Sequence, residues 1–208
     1  HDVGKGNGLH FFSMEIVPGG NLEEKLDESG PMPWRDAVEA VRDCAMALAF
    51  AQEHELVHRD VKPENLMVGA SGNLKLADLG LAATRGLVEK EVAGGTPHFM
   101  APEAFGGRNI DGRADLYSLG CTLYRLLTGE TVFKGPGVRE ILRAHREKNP
   151  PPLPPEIQAP AALESLLSDL LEKNPENRPD QASDVVARCE TLLAGKASRK
   201  SLAVVGVI

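Results

Sequence analysis

Asp60, Lys62 and Asn65 place a carboxylate, an ammonium and an amide within six positions, in the run His58-Arg59-Asp60-Val61-Lys62-Pro63-Glu64-Asn65. Pro63 blocks helix propagation, so the three side chains belong to a loop. A second carboxylate, Asp78, follows Asn65 by thirteen residues and closes a short strand-like run. Together these groups suit phosphoryl transfer. One carboxylate can orient a hydroxyl nucleophile, while the amide and the second carboxylate hold Mg²⁺ and the lysine neutralises the moving phosphoryl group. Oxygen donors of this kind favour Mg²⁺ over zinc.

The elements that must position these groups are read from pattern. The chain has 208 residues, 42% apolar and 25% charged, which fits one globular domain, or two small ones, and excludes a disordered chain. A net charge of −7 argues against a nucleic-acid partner. Cys44, Cys121 and Cys189 are odd in number and show no CxxC spacing, so neither a zinc site nor a disulfide framework is expected and a reducing compartment is favoured.

Residues 9–17 read as a strand behind a Gly-rich hairpin turn, Gly4-Lys5-Gly6-Asn7-Gly8, which matches neither phosphate-loop pattern. Asn21 and Glu24 have capping-box spacing and open a short helix that ends near Gly30. A longer helix starts near Trp34 with Val38, Val41, Ala45 and Leu48 on one face. Short strands are expected at 56–58, 66–68 and 74–76. From 115 to 128 the pattern is apolar nearly all round, which predicts a helix buried on every side. Leu163, Leu166, Leu167, Leu170 and Leu171 mark one amphipathic helix, and Val185, Cys189, Leu192 and Leu193 a second. Five prolines among residues 150–155 read as a stiff connector. The expected fold class is mainly α with a few short β-strands.

The ordered motifs resemble the catalytic domain of eukaryotic-type Ser/Thr protein kinases. They are HRDxKxxN at 58–65, Asp78-Leu79-Gly80, Gly95-Thr96-Pro97 before Ala101-Pro102-Glu103, Asp115-Leu116-Tyr117-Ser118-Leu119-Gly120, and Asn174-Pro175-Glu176-Asn177-Arg178-Pro179. The last stretch and the proline-rich loop are most similar to bacterial membrane-anchored members. The resemblance implies a kinase large lobe with a remnant of the small one. Within it Asp60 is the catalytic base, Lys62 the partner of the γ-phosphate, and Asn65 and Asp78 the Mg²⁺ ligands. Thr96 bonds the catalytic aspartate and lysine, the Glu15 carbonyl and Val17 amide hold adenine, and Met67 lies under the base. Glu103 and Arg178 form a buried ion pair, and His58 is a packed core histidine. Leu79 stands where many members have Phe.

By the same resemblance residues 1–20 are the small-lobe remnant and hinge, and residues 21–194 the large lobe. The Gly-rich loop, strand lysine and helix glutamate would precede residue 1, so the chain reads as an N-terminally truncated piece, inactive alone. Residues 195–208 carry Lys196, Arg199 and Lys200 ahead of an apolar run, the order of a juxtamembrane tail beginning a membrane span. The expected cofactors are ATP and Mg²⁺, the partners are protein substrates with Ser or Thr, and the location is the cytoplasm or the cytoplasmic face of a membrane. A pseudokinase scaffold would be favoured by loss of Asp60, Asn65 or Asp78, and all three are present. A small-molecule phosphotransferase shares an Asp–Asn loop, but Lys62 and the Ala101-Pro102-Glu103 closure argue for protein substrates.

Overall fold

The computed structural model describes residues 2–6, 9–13, 15–78, 97–106 and 110–195. Asp2–Gly6 (β1) pairs antiparallel with Leu9–Ser13 (β2), with Asp2 opposite Ser13 and Gly6 opposite Leu9. The predicted hairpin is present, with two differences. Gly4, Lys5 and Gly6 lie within a strand rather than in the turn, and the second strand stops at Ser13 rather than Val17. β1 offers ladder partners only as far as Ser13, so residues 15–17 run on unladdered.

Helix α1 (Leu22–Ser29) opens with the capping box its sequence announces: Glu24 N–H donates to the Asn21 side chain at 2.9 Å, and Asn21 N–H donates back to the Glu24 carboxylate at 3.0 Å. It closes at Gly30, whose φ of 76° is left-handed and favours glycine. Helix α2 (Trp34–Glu53) buries Val38, Val41, Ala45 and Leu48 as its periodicity requires. Leu66–Val68 (β3) and Leu74–Leu76 (β4) form the second hairpin, Leu66 opposite Leu76. The strand expected at 56–58 does not form. Its backbone donors go elsewhere: Leu56 N–H to the Ala51 carbonyl at 2.9 Å, and His58 N–H to the Asp115 carboxylate at 2.7 Å.

Helix α3 (Gly112–Thr128) starts three residues before the predicted point because the Asp111 side chain caps the Arg113 amide. Thirteen of its seventeen residues are buried, including all those from Ala114 to Tyr124, so it is the post on which the other elements pack. Gly120 lets α5 (Ala161–Leu170) approach closely, since a Cβ there would sit 2.8 Å from the Leu170 Cβ. α4 (Val138–Glu147) is a helix the sequence reading did not anticipate, burying Ile141, Ala144 and His145. Residues 150–155 join α4 to α5 as the expected extended connector, with Leu153 and Ile157 packed on the core. α6 (Ala182–Ala194) lies antiparallel along α2: Ala182 N–H donates to Gln52 near one end, and Arg35 donates to the Leu193 carbonyl near the other. The three cysteines are buried, and burial raises each thiol well above its ordinary range, which leaves them inert.

Candidate active site

Asp60 lies on the loop between α2 and β3, with 45% of its side chain exposed. Lys62 Nζ meets its Oδ2 at 2.9 Å, and Asn65 Nδ2 donates to the same oxygen at 2.9 Å and to the Asp60 carbonyl at 2.6 Å. Lys62 is mostly buried and Asn65 is buried, so both are held from below while the carboxylate faces outward. Pro63–Asn65 forms a single 3₁₀ turn with Pro63 at its first position, where the missing N–H would have had no partner in any case.

What fixes this loop is a residue the sequence reading quoted only as the start of a motif. Asp115, in the first turn of α3 and 2% exposed, accepts the His58 amide at 2.7 Å on one oxygen and the Arg59 amide at 2.7 Å on the other. Burial pushes its carboxyl up, and the two amides oppose that shift. Arg59 adopts a left-handed φ of 69°, held in that turn by the shared clamp. His58 is the packed core histidine expected, its Nε2 3.0 Å from the Ala77 carbonyl. The signal for Asp115 was available: a lone carboxylate in a helix with no polar face must be buried, and a buried charge needs partners.

Asp78 joins the loop through the backbone. Ala77 N–H donates to the Asn65 carbonyl at 2.8 Å, which seats Asp78 beside Asn65; the residue is exposed and left-handed, with φ 57°. Among the described residues no group of three His, Cys, Asp or Glu side chains could cage a metal. The Asn65 amide oxygen and the Asp78 carboxylate fit a different ion, one that keeps waters and takes its remaining ligands from substrate phosphates, which is the habit of Mg²⁺.

Of the predicted adenine contacts Met67 lies in β3, along whose edge residues 19–21 run. Gly19 N–H donates to the Val68 carbonyl at 3.0 Å, Val68 N–H donates to the Gly20 carbonyl at 2.9 Å, and Asn21 bridges to Met67. A Cβ at Gly19 would meet the Val68 oxygen at 2.4 Å, so this close pairing requires glycine. Met67 is half-buried in the strand that runs beside residues 19–21. The Glu15 side chain is exposed and paired with Lys75, Nζ to both oxygens at 2.6 Å. Thr96, the remaining predicted catalytic residue, lies outside the described residues.

The predicted ion pair is present. Arg178 Nη1 and Nη2 meet the two Glu103 oxygens at 2.6 and 2.9 Å, with the arginine side chain fully buried. Its other three donors go to the carbonyls of Glu172, Arg113 and Lys173, so all five N–H groups are used.

The pattern of the protein kinase domain matches residues 4–188. The chain is 35% identical over 184 residues to "Serine/threonine-protein kinase PknB" of Mycobacterium leprae, covering 86% of this chain and 30% of that protein. It is 37% identical over 191 residues to "Serine/threonine-protein kinase PknD" of Mycobacterium tuberculosis, covering 89% of this chain and 29% of that one. The chain thus spans about 30% of the length of the curated relatives it matches.

Proposed function

This chain belongs to the protein kinase family, and on that premise we propose that it is the catalytic part of a protein Ser/Thr kinase, moving the γ-phosphate of ATP to Ser or Thr hydroxyls of protein substrates. The observation that carries the reading is the Asp60 carboxylate, exposed to an incoming hydroxyl yet gripped by Lys62 and Asn65 at 2.9 Å each. Asp60 aligns the acceptor hydroxyl and takes its proton as the oxygen becomes nucleophilic. Lys62, already beside that carboxylate, sets its charge against the phosphoryl group in flight. Asn65 and Asp78 are the residues that would hold Mg²⁺, which supplies charge neutralisation on the phosphates when bound. The 15–17 backbone and Met67 would take the adenine, and Thr96 would complete the contacts to Asp60 and Lys62.

The test is Asp60→Asn in the full-length protein. Turnover should fall about 10²–10⁴-fold while the KM for ATP hardly moves, because the base acts in the transition state rather than in nucleotide binding. A variant that retains more than about a tenth of wild-type turnover overturns the role of Asp60.

Residues 196–208 lie outside the described residues, and no described helix is long and apolar enough to cross a membrane. We propose from their sequence that Lys196, Arg199 and Lys200 precede a span, which would put the domain on the cytoplasmic face. Release of the natural protein from membranes by high salt alone, without detergent, would reject that.

A further inference from the structure

The kinase reading leaves one buried polar cluster without a task. Tyr117, fully buried on α3, has its hydroxyl oxygen 2.9 Å from His145 Nδ1 on α4 and accepts from Lys173 Nζ at 3.3 Å. His145 is also fully buried, and its ring stands edge-on to Phe133 with centroids 4.9 Å apart. Lys173 Nζ lies 4.5 Å from the Phe133 centroid. The opposite neighbour of Tyr117 is Arg178, whose guanidinium carbon is 4.8 Å from the phenol ring while its fork grips Glu103. Three separate elements therefore meet at one phenol oxygen: α3, α4 and the turn that leads to Arg178.

The cluster reaches the 97–106 segment through His145 and Phe133. His145 faces the Phe105 ring at 6.4 Å, its helix neighbour Arg146 lies 5.5 Å over the same ring, and His98 Nδ1 is 3.1 Å from the Phe133 carbonyl. Burial, helped by Lys173 and His98, holds His145 neutral, its pKa pushed down to about 3; burial also brings Lys173 down to about 8. The donor inventory then assigns one order: Lys173 donates to the Tyr117 oxygen, and the Tyr117 O–H donates to a neutral His145 Nδ1. No partner meets His145 Nε2 at good hydrogen-bond distance and angle among the described residues, and the His98 backbone, which lies near enough to favour the charged ring, does not offset its burial. Apolar side chains of the same shape would be no less stable here. What they would lack is direction.

We propose that Tyr117, His145 and Lys173 are positioning residues for the protein acceptor, the phenol fixing how α4 sits on α3 and thereby the shape of the 97–106 shelf. The inference rests on the kinase reading, in which the Ala101-Pro102-Glu103 closure goes with a protein acceptor. It goes beyond that reading by separating acceptor affinity from nucleotide affinity.

The test uses full-length protein with myelin basic protein as the acceptor. Tyr117→Phe should raise the acceptor KM about tenfold and leave the ATP KM within about twofold, the split expected when acceptor binding alone is disturbed. The double variant Tyr117→Phe/His145→Phe removes the Nδ1 that Tyr117→Phe alone leaves without its partner, so thermal stability should return while the acceptor KM stays high. A purely structural role predicts the opposite: the acceptor KM would recover with stability, and that result overturns the proposal. A third readout needs no turnover. Hydrogen exchange across 97–106 and α4 should rise in Tyr117→Phe, and unchanged exchange overturns the proposal as well. Absence of transfer by the wild type would count against the kinase reading alone.

Discussion

Asp115 and Tyr117 stand two residues apart on α3, about 200° apart around its axis, and they hold their neighbours in opposite ways. Asp115 binds backbone: its two oxygens take the amides of His58 and Arg59. Tyr117 binds side chains, those of His145 and Lys173, and stacks on a third, Arg178. The difference follows from what each region must do. A loop gripped by its main chain leaves its side chains free, as the roles proposed for Asp60 and Lys62 require. A shelf that presents shape has no such restriction and is locked through its side chains.

The comparison can be broken most strongly at the Glu103–Arg178 pair. Glu103→Gln leaves a fully buried guanidinium without its counter-charge, and urea denaturation should show a loss of about 3–5 kcal/mol. Asp115→Asn is milder, since an amide still offers one acceptor oxygen to two amides. It should lower stability by about 1–3 kcal/mol. Turnover should fall further than acceptor affinity, because the loop side of the helix is the one disturbed; equal loss of both would erase the distinction between the two faces.

Acid should strain the Tyr117 side selectively. An imidazole kept neutral when folded and free to protonate when unfolded makes the unfolded chain bind more protons below pH 6.5. Stability should then decline by up to about 1.4 kcal/mol per pH unit from about 6.5 down to about 3, with no contribution from this group above that window. In His145→Phe the part of the acid slope due to this residue should vanish; an unaltered slope between pH 6.5 and 4 would contradict a neutral buried histidine. The smallest effect belongs to the surface. Lys75→Ala breaks a pair whose side chains are 39% and 56% exposed, and the stability change should stay below about 1 kcal/mol.

Legibility in the sequence divides along similar lines. Local physics was readable: the Asn21–Glu24 box, the apolar faces of α2, α5 and α6, and the all-round burial of α3 all rest on neighbours within a few residues. The loop residues Asp60, Lys62 and Asn65 were readable because their partners lie within five positions. The failures are non-local. Residues 56–58 look like a strand, but the His58 amide is taken by a carboxylate 57 residues away. Helix α4 was missed because its buried face is short, Ile141, Ala144 and His145, and is set among charged residues. The contacts at the Tyr117 hydroxyl span 28 and 56 residues, and no spacing rule reaches that far.

The left-handed backbone at Arg59 and Asp78 has an evolutionary consequence. Each non-glycine residue in that region is held uphill by on the order of 1 kcal/mol, so the proposed site carries part of the strain in this fold. A library selected for thermal stability alone should therefore drift at these two positions as it does at Glu55 and Gln158, which share the conformation outside the site, with the proposed Mg²⁺ carboxylate lost wherever Asp78→Gly is fixed. Selection for phosphate transfer would return the aspartate and give the stability back. The two screens, run on one library, would map where this domain trades endurance for chemistry.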